Sequence, residues 1–360
     1  MTGTVRHYFA GGNTAKGFYN LFDTNLQHLN RLFILKGGSV SGKSTLIKEI
    51  GEKWVHQEND VEWIHNPLDS RSVDGAINRT IGAGVVNGTA PYVVEAKNPS
   101  VVEEYVNFGE AYDTNQLRAD KEEMMILRKS MDHLYERAFE SFAVAHRIHD
   151  DWEKIFIEQM DFQKANSLAN QWAETLIDQQ EENRKGAVYH RFLGAATSDG
   201  PVDYIENLTE DVKNRYFIKG RPGSGKSTML KKIAKKAIER GFDIEIYHCG
   251  FDPHSLDMVI VRKLQFAIFD STAPHEYFPN KENDFVIDMY KELIEPGTDE
   301  MYAKQIEACS NEYSKKMKEG TSFLKQAKLR RDQLEQYYTN AMNFSKIEQI
   351  KQKIERELEN

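Results

Sequence analysis

Sliding the 360-residue chain along itself by 183 positions, the distance from Lys43 to Lys226, aligns matching residues along most of its length. The string Gly37-Gly38-Ser39-Val40-Ser41-Gly42-Lys43-Ser44-Thr45 meets Gly220-Arg221-Pro222-Gly223-Ser224-Gly225-Lys226-Ser227-Thr228. Upstream, His7, Phe9, Gly11 and Gly17 meet His190, Phe192, Gly194 and Gly200. Downstream, Asp60, Glu62, His65, Asp69, Ser72, Asp74, Ile77, Arg79 and Thr89-Ala90-Pro91 meet Asp243, Glu245, His248, Asp252, Ser255, Asp257, Ile260, Arg262 and Thr272-Ala273-Pro274. At an offset of 182, Ala145, Glu153, Met160 and Phe162 still fall on Ala327, Glu335, Met342 and Phe344. Self-similarity at one fixed period marks a repeated structural unit, so each half is expected to be a whole domain, with a boundary near residue 184.

Both strings fit G-x-x-x-x-G-K-[S/T]. Its glycines let backbone N–H groups wrap phosphates, its lysine reaches the outer phosphates, and its hydroxyl residue ligates Mg²⁺. The expected ligands are therefore ATP, or another nucleoside triphosphate, and Mg²⁺, held by residues 37–45 and 220–228, with Ser44 and Ser227 on the metal. Leu32-Phe-Ile-Leu35 and Tyr216-Phe-Ile218 are short apolar runs ending at these loops, and each loop opens a helix, at about 44–57 and 227–240. Val61–Ile64 and Ile244–Tyr247 read as second strands, Gly84–Val86 and Phe266–Phe269 as third strands. Strands alternating with helices predict α/β domains, each a parallel sheet flanked by helices.

Residues 117–183 and 299–360 change character: they are charged and nearly free of glycine and proline. Apolar residues recur at three- and four-residue steps, as in Leu127, Met131, Leu134, Ala138 and Phe142, or Ile347, Ile350 and Ile354. That spacing predicts a long helical hairpin after each domain (1–116 and 184–298), bent near Met160–Phe162 and Met342–Phe344. Such arms pack on their own domain, on each other or across a dimer, or they act as levers that move with nucleotide state.

A net charge of −9 argues against broad binding to nucleic acid or anionic membrane. The chain has two cysteines, Cys249 and Cys309, a start without the apolar run of a secretory signal, and no stretch of about 20 apolar residues. A reduced, cytoplasmic setting is the expectation.

The two halves differ where chemistry is expected. The second loop has Gly223 where the first has Val40, whose branched side chain disfavours positive φ. Asp270 ends the third strand of the second half, where a carboxylate would orient Mg²⁺ through its waters; the first half has Asn87 there. Lys226, Asp270 and Asp252 are thus the candidate catalytic residues, and the second site is the more complete. His65, Asp69, His248, Asp252, Arg79 and Arg262 lie beyond the second strands, where an acceptor substrate would sit. Ser72 and Ser255 read as helix N-caps, with Asp74 and Asp257 in the first turn and the arginines further along that helix.

Neither Asp270-Ser271 nor Asn87-Gly88 provides the adjacent glutamate of motor-type ATPases, and no N-K-x-D string is present. The chain resembles the kinase-like branch of the P-loop NTPase superfamily. From its paired loops, Asp270-Ser-Thr-Ala-Pro, Asn87-Gly-Thr-Ala-Pro and the repeated His-x-x-x-Asp-x-x-Ser-x-Asp, it is similar end to end to a bacterial family of tandem P-loop ATPases or nucleotide kinases. That family reads Asp-Gly-Thr-Ala-Pro-His in its first half, where this chain has Asn87 and Tyr92. The resemblance implies nucleotide binding and leaves two functions open: an ATPase or phosphotransferase, or a nucleotide-gated switch whose arms act on a protein partner or a second copy.

Overall fold

The computed structural model describes residues 3–38, 40–177 and 181–358, with the side chains of Val40 and Ser41 outside the description. The first half begins with β1 (Val5–Tyr8), a hairpin of β2 (Gly11–Thr14) and β3 (Gly17–Asn20), and β4 (Arg31–Lys36), then α1 (Val40–His56). It continues through β5 (Val61–His65), β6 (Val73–Asn78), β7 (Ala83–Asn87) and β8 (Glu103–Asn107) into the long helix α2 (Lys121–Ile157) and α3 (Phe162–Ile177). The second half repeats the series as β9 (Val188–Phe192), β10 (Gly194–Thr197), β11 (Gly200–Asp203), β12 (Asn214–Lys219), α4 (Lys226–Glu239), β13 (Ile244–His248), β14 (Leu256–Val261), β15 (Phe266–Asp270), β16 (Asp284–Asp288), α5 (Ala303–Asn340) and α6 (Phe344–Leu358). Among the described residues no helix is long and apolar enough to cross a membrane.

Each half carries one six-stranded sheet, ordered β1-β5-β6-β7-β4-β8 and β9-β13-β14-β15-β12-β16. The expected α/β architecture is present, but each sheet is mixed: β6 and β14 run antiparallel to both neighbours. These strands correct the helix expected after Ser72 and Ser255. Val73–Asn78 is buried along its whole length, so both faces are covered and no helical periodicity is enforced. Gly75 sits so close to Val86 and Ile64 of the flanking strands that a Cβ there would lie 3.0–3.1 Å from their side chains. Ser72 and Ser255 instead close turns, their N–H groups donating to the carbonyls of Asp69 and Asp252 at 2.9 and 3.0 Å.

The helical arms also depart from the expected hairpins. α2 lies along α5, with Ala138, Phe142, Phe323, Leu324 and Ala327 buried in one shared core. The bends fall where expected, yet the shorter helix of each arm crosses to the opposite half. α3 places Ala169, Ala173, Leu176 and Ile177 against Met229, Ile233 and Ala237 of α4. α6 places Ile354 in the core formed around Leu46, Ile50 and Trp54 of α1. The backbone fixes the exchange at both bends: Asp161 N–H donates to Leu293 O at 2.9 Å, and Asn343 N–H to Ala111 O at 2.7 Å. Periodicity told which face of these helices is buried, and the opposite half supplies the cover.

The N-terminal strands meet between the two sheets. Phe9 and Phe192 exchange reciprocal backbone hydrogen bonds of 3.0 and 2.9 Å. Beside them Arg191, 1% exposed, has Nη2 at 2.8 Å from Glu62 and Nη1 at 3.3 Å from Glu245, with its guanidinium 4.1 Å from the centre of the Tyr8 ring. Tyr8 occupies the place in the first half that Arg191 holds in the second, and its hydroxyl donates to Glu62. Arg79 pairs with Glu62 at 2.8 Å, and Arg262 with Glu245. These cations hold both glutamates well below the usual carboxylate range against a burial that opposes ionisation, Glu245 at about 2. Replacing Arg191 by alanine leaves each buried glutamate with one arginine instead of two and removes the side chain that joins them, and urea unfolding is expected to show a loss of about 3 kcal/mol.

Histidine pairs end β5 and β13. His7 Nδ1 lies 2.9 Å from His65 Nε2, and His190 Nδ1 lies 2.8 Å from His248 Nε2; the other nitrogens of His65 and His248 face the carbonyls of Ser70 and Pro253. Burial above all, and then the charge of the partner histidine, lowers His65 and His248 from 6.5 to about 4. A depressed histidine contributes stability that is complete above its unfolded pKa and lost as pH falls, here from about 6.5 toward about 4. His65→Asn and His248→Asn should each flatten that acid limb by roughly 3 kcal/mol in denaturant titrations across this window.

Candidate functional site

β12 runs into Gly220, and α4 begins at Lys226, so residues 220–225 form the loop that opens the helix. Gly223 and Gly225 have φ of 75° and 87°, which side-chain-bearing residues rarely adopt. Lys226 Nζ donates to Arg221 O at 3.1 Å and stands 3.5 Å from Asp270 Oδ2. Ser227 Oγ, in the first turn of α4, accepts from Leu256 N–H at 2.9 Å and ties β14 to the loop. Ser224 Oγ is buried against Gly220 with no hydrogen-bond partner among the described residues.

In the first half, Gly37 and Gly38 also have positive φ, and Lys43 Nζ donates to Gly37 O at 2.8 Å and Thr89 Oγ1 at 3.1 Å. Burial lowers Lys43 to about 8. Ser44 Oγ accepts from Val73 N–H at 2.9 Å, as Ser227 does from Leu256. Ser39 and the side chains of Val40 and Ser41 lie outside the described residues, so the contrast between Val40 and Gly223 rests on sequence.

The sharpest difference lies on the strand pair β6–β7 and its counterpart β14–β15. In the first half Asp74, fully buried, accepts from Asn66 Nδ2 at 2.8 Å, Asn87 Nδ2 at 3.0 Å and Tyr92 Oη at 2.5 Å. Its oxygens are occupied by neutral donors. At the equivalent positions the second half has Asp257, Cys249, Asp270 and His275. There burial, and next the charge of Asp270, pushes the Asp257 carboxyl up to about 7, and Cys249 donates to it. His275 Nδ1 turns to Asp203 at 2.7 Å. Asp74 and Asp257, read in the sequence as capping residues, thus lie on strands beside Asn87 and Asp270. Asp270 Oδ1 accepts from Thr272 Oγ1 at 2.6 Å, which leaves its other oxygen toward Lys226.

The opposite half closes each loop. A Cβ on Gly223 would lie 2.6 Å from the carbonyl oxygen of Glu153 in α2, so this glycine is required by close packing as well as by φ. The Glu153 carboxylate accepts from Gly223 N–H and feels Lys226; burial, and next Asp150, raises its pKa. Glu335 in α5, its repeat partner, acts on Lys43. Asp69 lies 3.2 Å from Arg331 and 3.5 Å from Lys328 of α5, and 3.1 Å from Arg71. Asp252 lies 3.8 Å from His146 of α2 and accepts from His254 N–H at 3.1 Å. Both aspartates therefore face the arms. His149, Asp150 and Glu153 bring three potential ligand atoms within 4.8 Å of one another on that arm.

Other candidates are placed away from the loops. His65 and His248 complete the histidine pairs, and Arg79 and Arg262 follow strands and join the buried glutamates between the halves. The arm residues Glu153 and Glu335 were missed as site residues although both lie on the repeat, because sequence spacing alone did not reveal that the arms cross.

Residues 202–358 match the model of the KAP family P-loop domain. No curated protein and no solved structure matches the chain. The second half is therefore similar to KAP family P-loop domains, and the chain carries a domain of the P-loop NTPase superfamily.

Proposed function

We propose that the chain binds Mg·ATP and hydrolyses it at the second loop, with the first half binding nucleotide as a regulatory or weakly active copy. The carrying observation is the carboxylate pair Asp257 and Asp270, which replaces the neutral network of Asp74, Asn66, Asn87 and Tyr92. Two close carboxylates beside Lys226 and Ser227 fit a divalent cation, whose charge relieves their repulsion. Ser227 and Asp270 would hold Mg²⁺, which supplies charge stabilisation on the phosphates when bound. Lys226 binds the β/γ-phosphates.

Glu153 supplies the carboxylate absent after Asp270. Held against Gly223, it takes the proton of the attacking water as the new P–O bond forms and the bridging P–O bond breaks, with ADP leaving. Transfer to an acceptor other than water, as in the kinase-like branch, uses the same groups. A nucleotide-driven switch is supported by one further observation: each loop is closed by the long helix of the opposite half, so phosphate at one loop bears on both arms.

Phosphate release is expected to vanish with Lys226→Ala and to persist largely with Lys43→Ala; the reverse ranking contradicts the reading. Glu153→Gln should keep Mg·ATP affinity, read with a fluorescent ATP analogue, and lower turnover by about 100-fold. Faster turnover in that variant would mean that Glu153 blocks the loop instead. Limited proteolysis of the arms with and without ATP reads the switch: protection without phosphate release favours it over hydrolysis.

A further inference from the structure

Asp69 of the first half stands among cations: Arg71 at 3.1 Å, and Arg331 and Lys328 of α5 at 3.2 and 3.5 Å. Each of these three positions holds a histidine in the second half. His254 takes the place of Arg71 at the offset of 183, and His149 and His146 of α2 take those of Arg331 and Lys328 at the offset of 182. The carboxylates are kept: Asp252 stands for Asp69, Asp150 for Asp332 and Glu153 for Glu335. Three fixed positive charges are exchanged for three imidazoles while these acidic groups stay. An imidazole nitrogen can ligate a metal ion, as a guanidinium or ammonium group cannot.

Two of these histidines lie on the arm beside the retained acids. His149 and Glu153 are four residues apart on α2 and share a face. Nδ1 of His149 stands 3.7 Å from Oε1 of Glu153, too far for a hydrogen bond. With Asp150, each of the three offers a ligand atom within 4.8 Å of the other two, the only such group among the described residues. Ligands at about 2.0–2.2 Å from a tetrahedral Zn²⁺ lie about 3.4 Å from one another, so a small inward movement closes the set. The surroundings orient it. The His149 ring packs against Phe251 at 6.1 Å and Tyr313 at 5.6 Å. His146 Nδ1 lies 3.2 Å from Asp150 Oδ2, a contact of the kind that holds a ligating carboxylate in place. Lys226 also bears on His149 and Glu153, but its charge belongs to the phosphate loop and is met by Asp270 at 3.5 Å.

One imidazole with two carboxylates suits Zn²⁺ and its neighbours over Mg²⁺, which favours an octahedral set of oxygens. We propose that His149, Asp150 and Glu153 hold a Zn²⁺-class ion on α2, with the fourth position open to water, and that the ion occupies the Glu153 carboxylate and so shuts down hydrolysis at the second loop. The metal site stands on its own geometry; the shut-down rests on the role proposed above for Glu153.

The probe is Zn²⁺ itself, titrated by calorimetry into the full chain with excess Mg²⁺ present, and then added during steady-state turnover of Mg·ATP. One equivalent is expected to bind at this site, and turnover to fall by about 100-fold when it is filled, as in Glu153→Gln. Asp150→Asn, at a half-exposed ligand, should weaken that equivalent by about tenfold or more. His146→Lys with His149→Arg, which restores the residues of the first half, should remove it. In both variants turnover should be the same with and without Zn²⁺ at the concentration that inhibits the wild type. Thermal melting reports folding; should the paired variant misfold, Asp150→Asn decides. Unchanged Zn²⁺ affinity in a folded variant overturns the site, as does a wild-type chain that binds no Zn²⁺. Binding without loss of turnover overturns the shut-down. A wild-type chain that does not hydrolyse ATP contradicts the function proposed for the second loop, and the shut-down with it, while the calorimetry still decides the metal site.

Discussion

Arg191 lies out of water between Glu62 of one half and Glu245 of the other, stacked on Tyr8, and neither glutamate is far from a second arginine. Burying such charges is unfavourable unless every member is paired, so the network specifies how the two sheets meet more than it adds stability. It also breaks the symmetry of the duplication. Two identical subunits would bring the same residue to both places, and an arginine at both would set four cations on two glutamates; a fused pair can put Tyr8 in one and Arg191 in the other.

With the sheets fixed at that contact, the arms complete the molecule by crossing. Neither α3 nor α6 covers the sheet of its own half, and α2 and α5 share a core along their length. Each phosphate loop is therefore built from two halves: glycines and lysine from one, a glutamate from the long helix of the other. Asymmetry at Tyr8 and Arg191 is matched by asymmetry in the sites. In the first, amide and phenol donors satisfy the oxygens of Asp74; in the second, two carboxylates and a lysine remain in tension that a bound cation would relieve.

Much of this was legible because backbone demands leave strong marks. Glycines at 220, 223 and 225 followed by Lys226 announce a tight turn into a helix, and the helix expected at 227–240 is found at Lys226–Glu239. The length and bends of the arms followed from apolar spacing. β6 and β14 were misread because a strand buried on both faces has no alternation, and Ser-x-Asp imitates a helix start. The crossing of the arms was not legible, since a 3.6-residue period marks a buried face and not its partner. Arg191 was hidden for a different reason: in the repeat it is a mismatch with Tyr8, and matches drew the reading. The contrast of Asn87 with Asp270 was visible, but its meaning depended on Asp74 and Asp257 being strand residues that face them.

The claim that the carboxylate pair makes the second half the working site is tested most directly by exchanging the two strand ends and measuring steady-state ATP turnover. Asp270→Asn should remove turnover while the protein still binds nucleotide, and Asn87→Asp should leave the wild-type rate unchanged. Full turnover in Asp270→Asn would contradict the account.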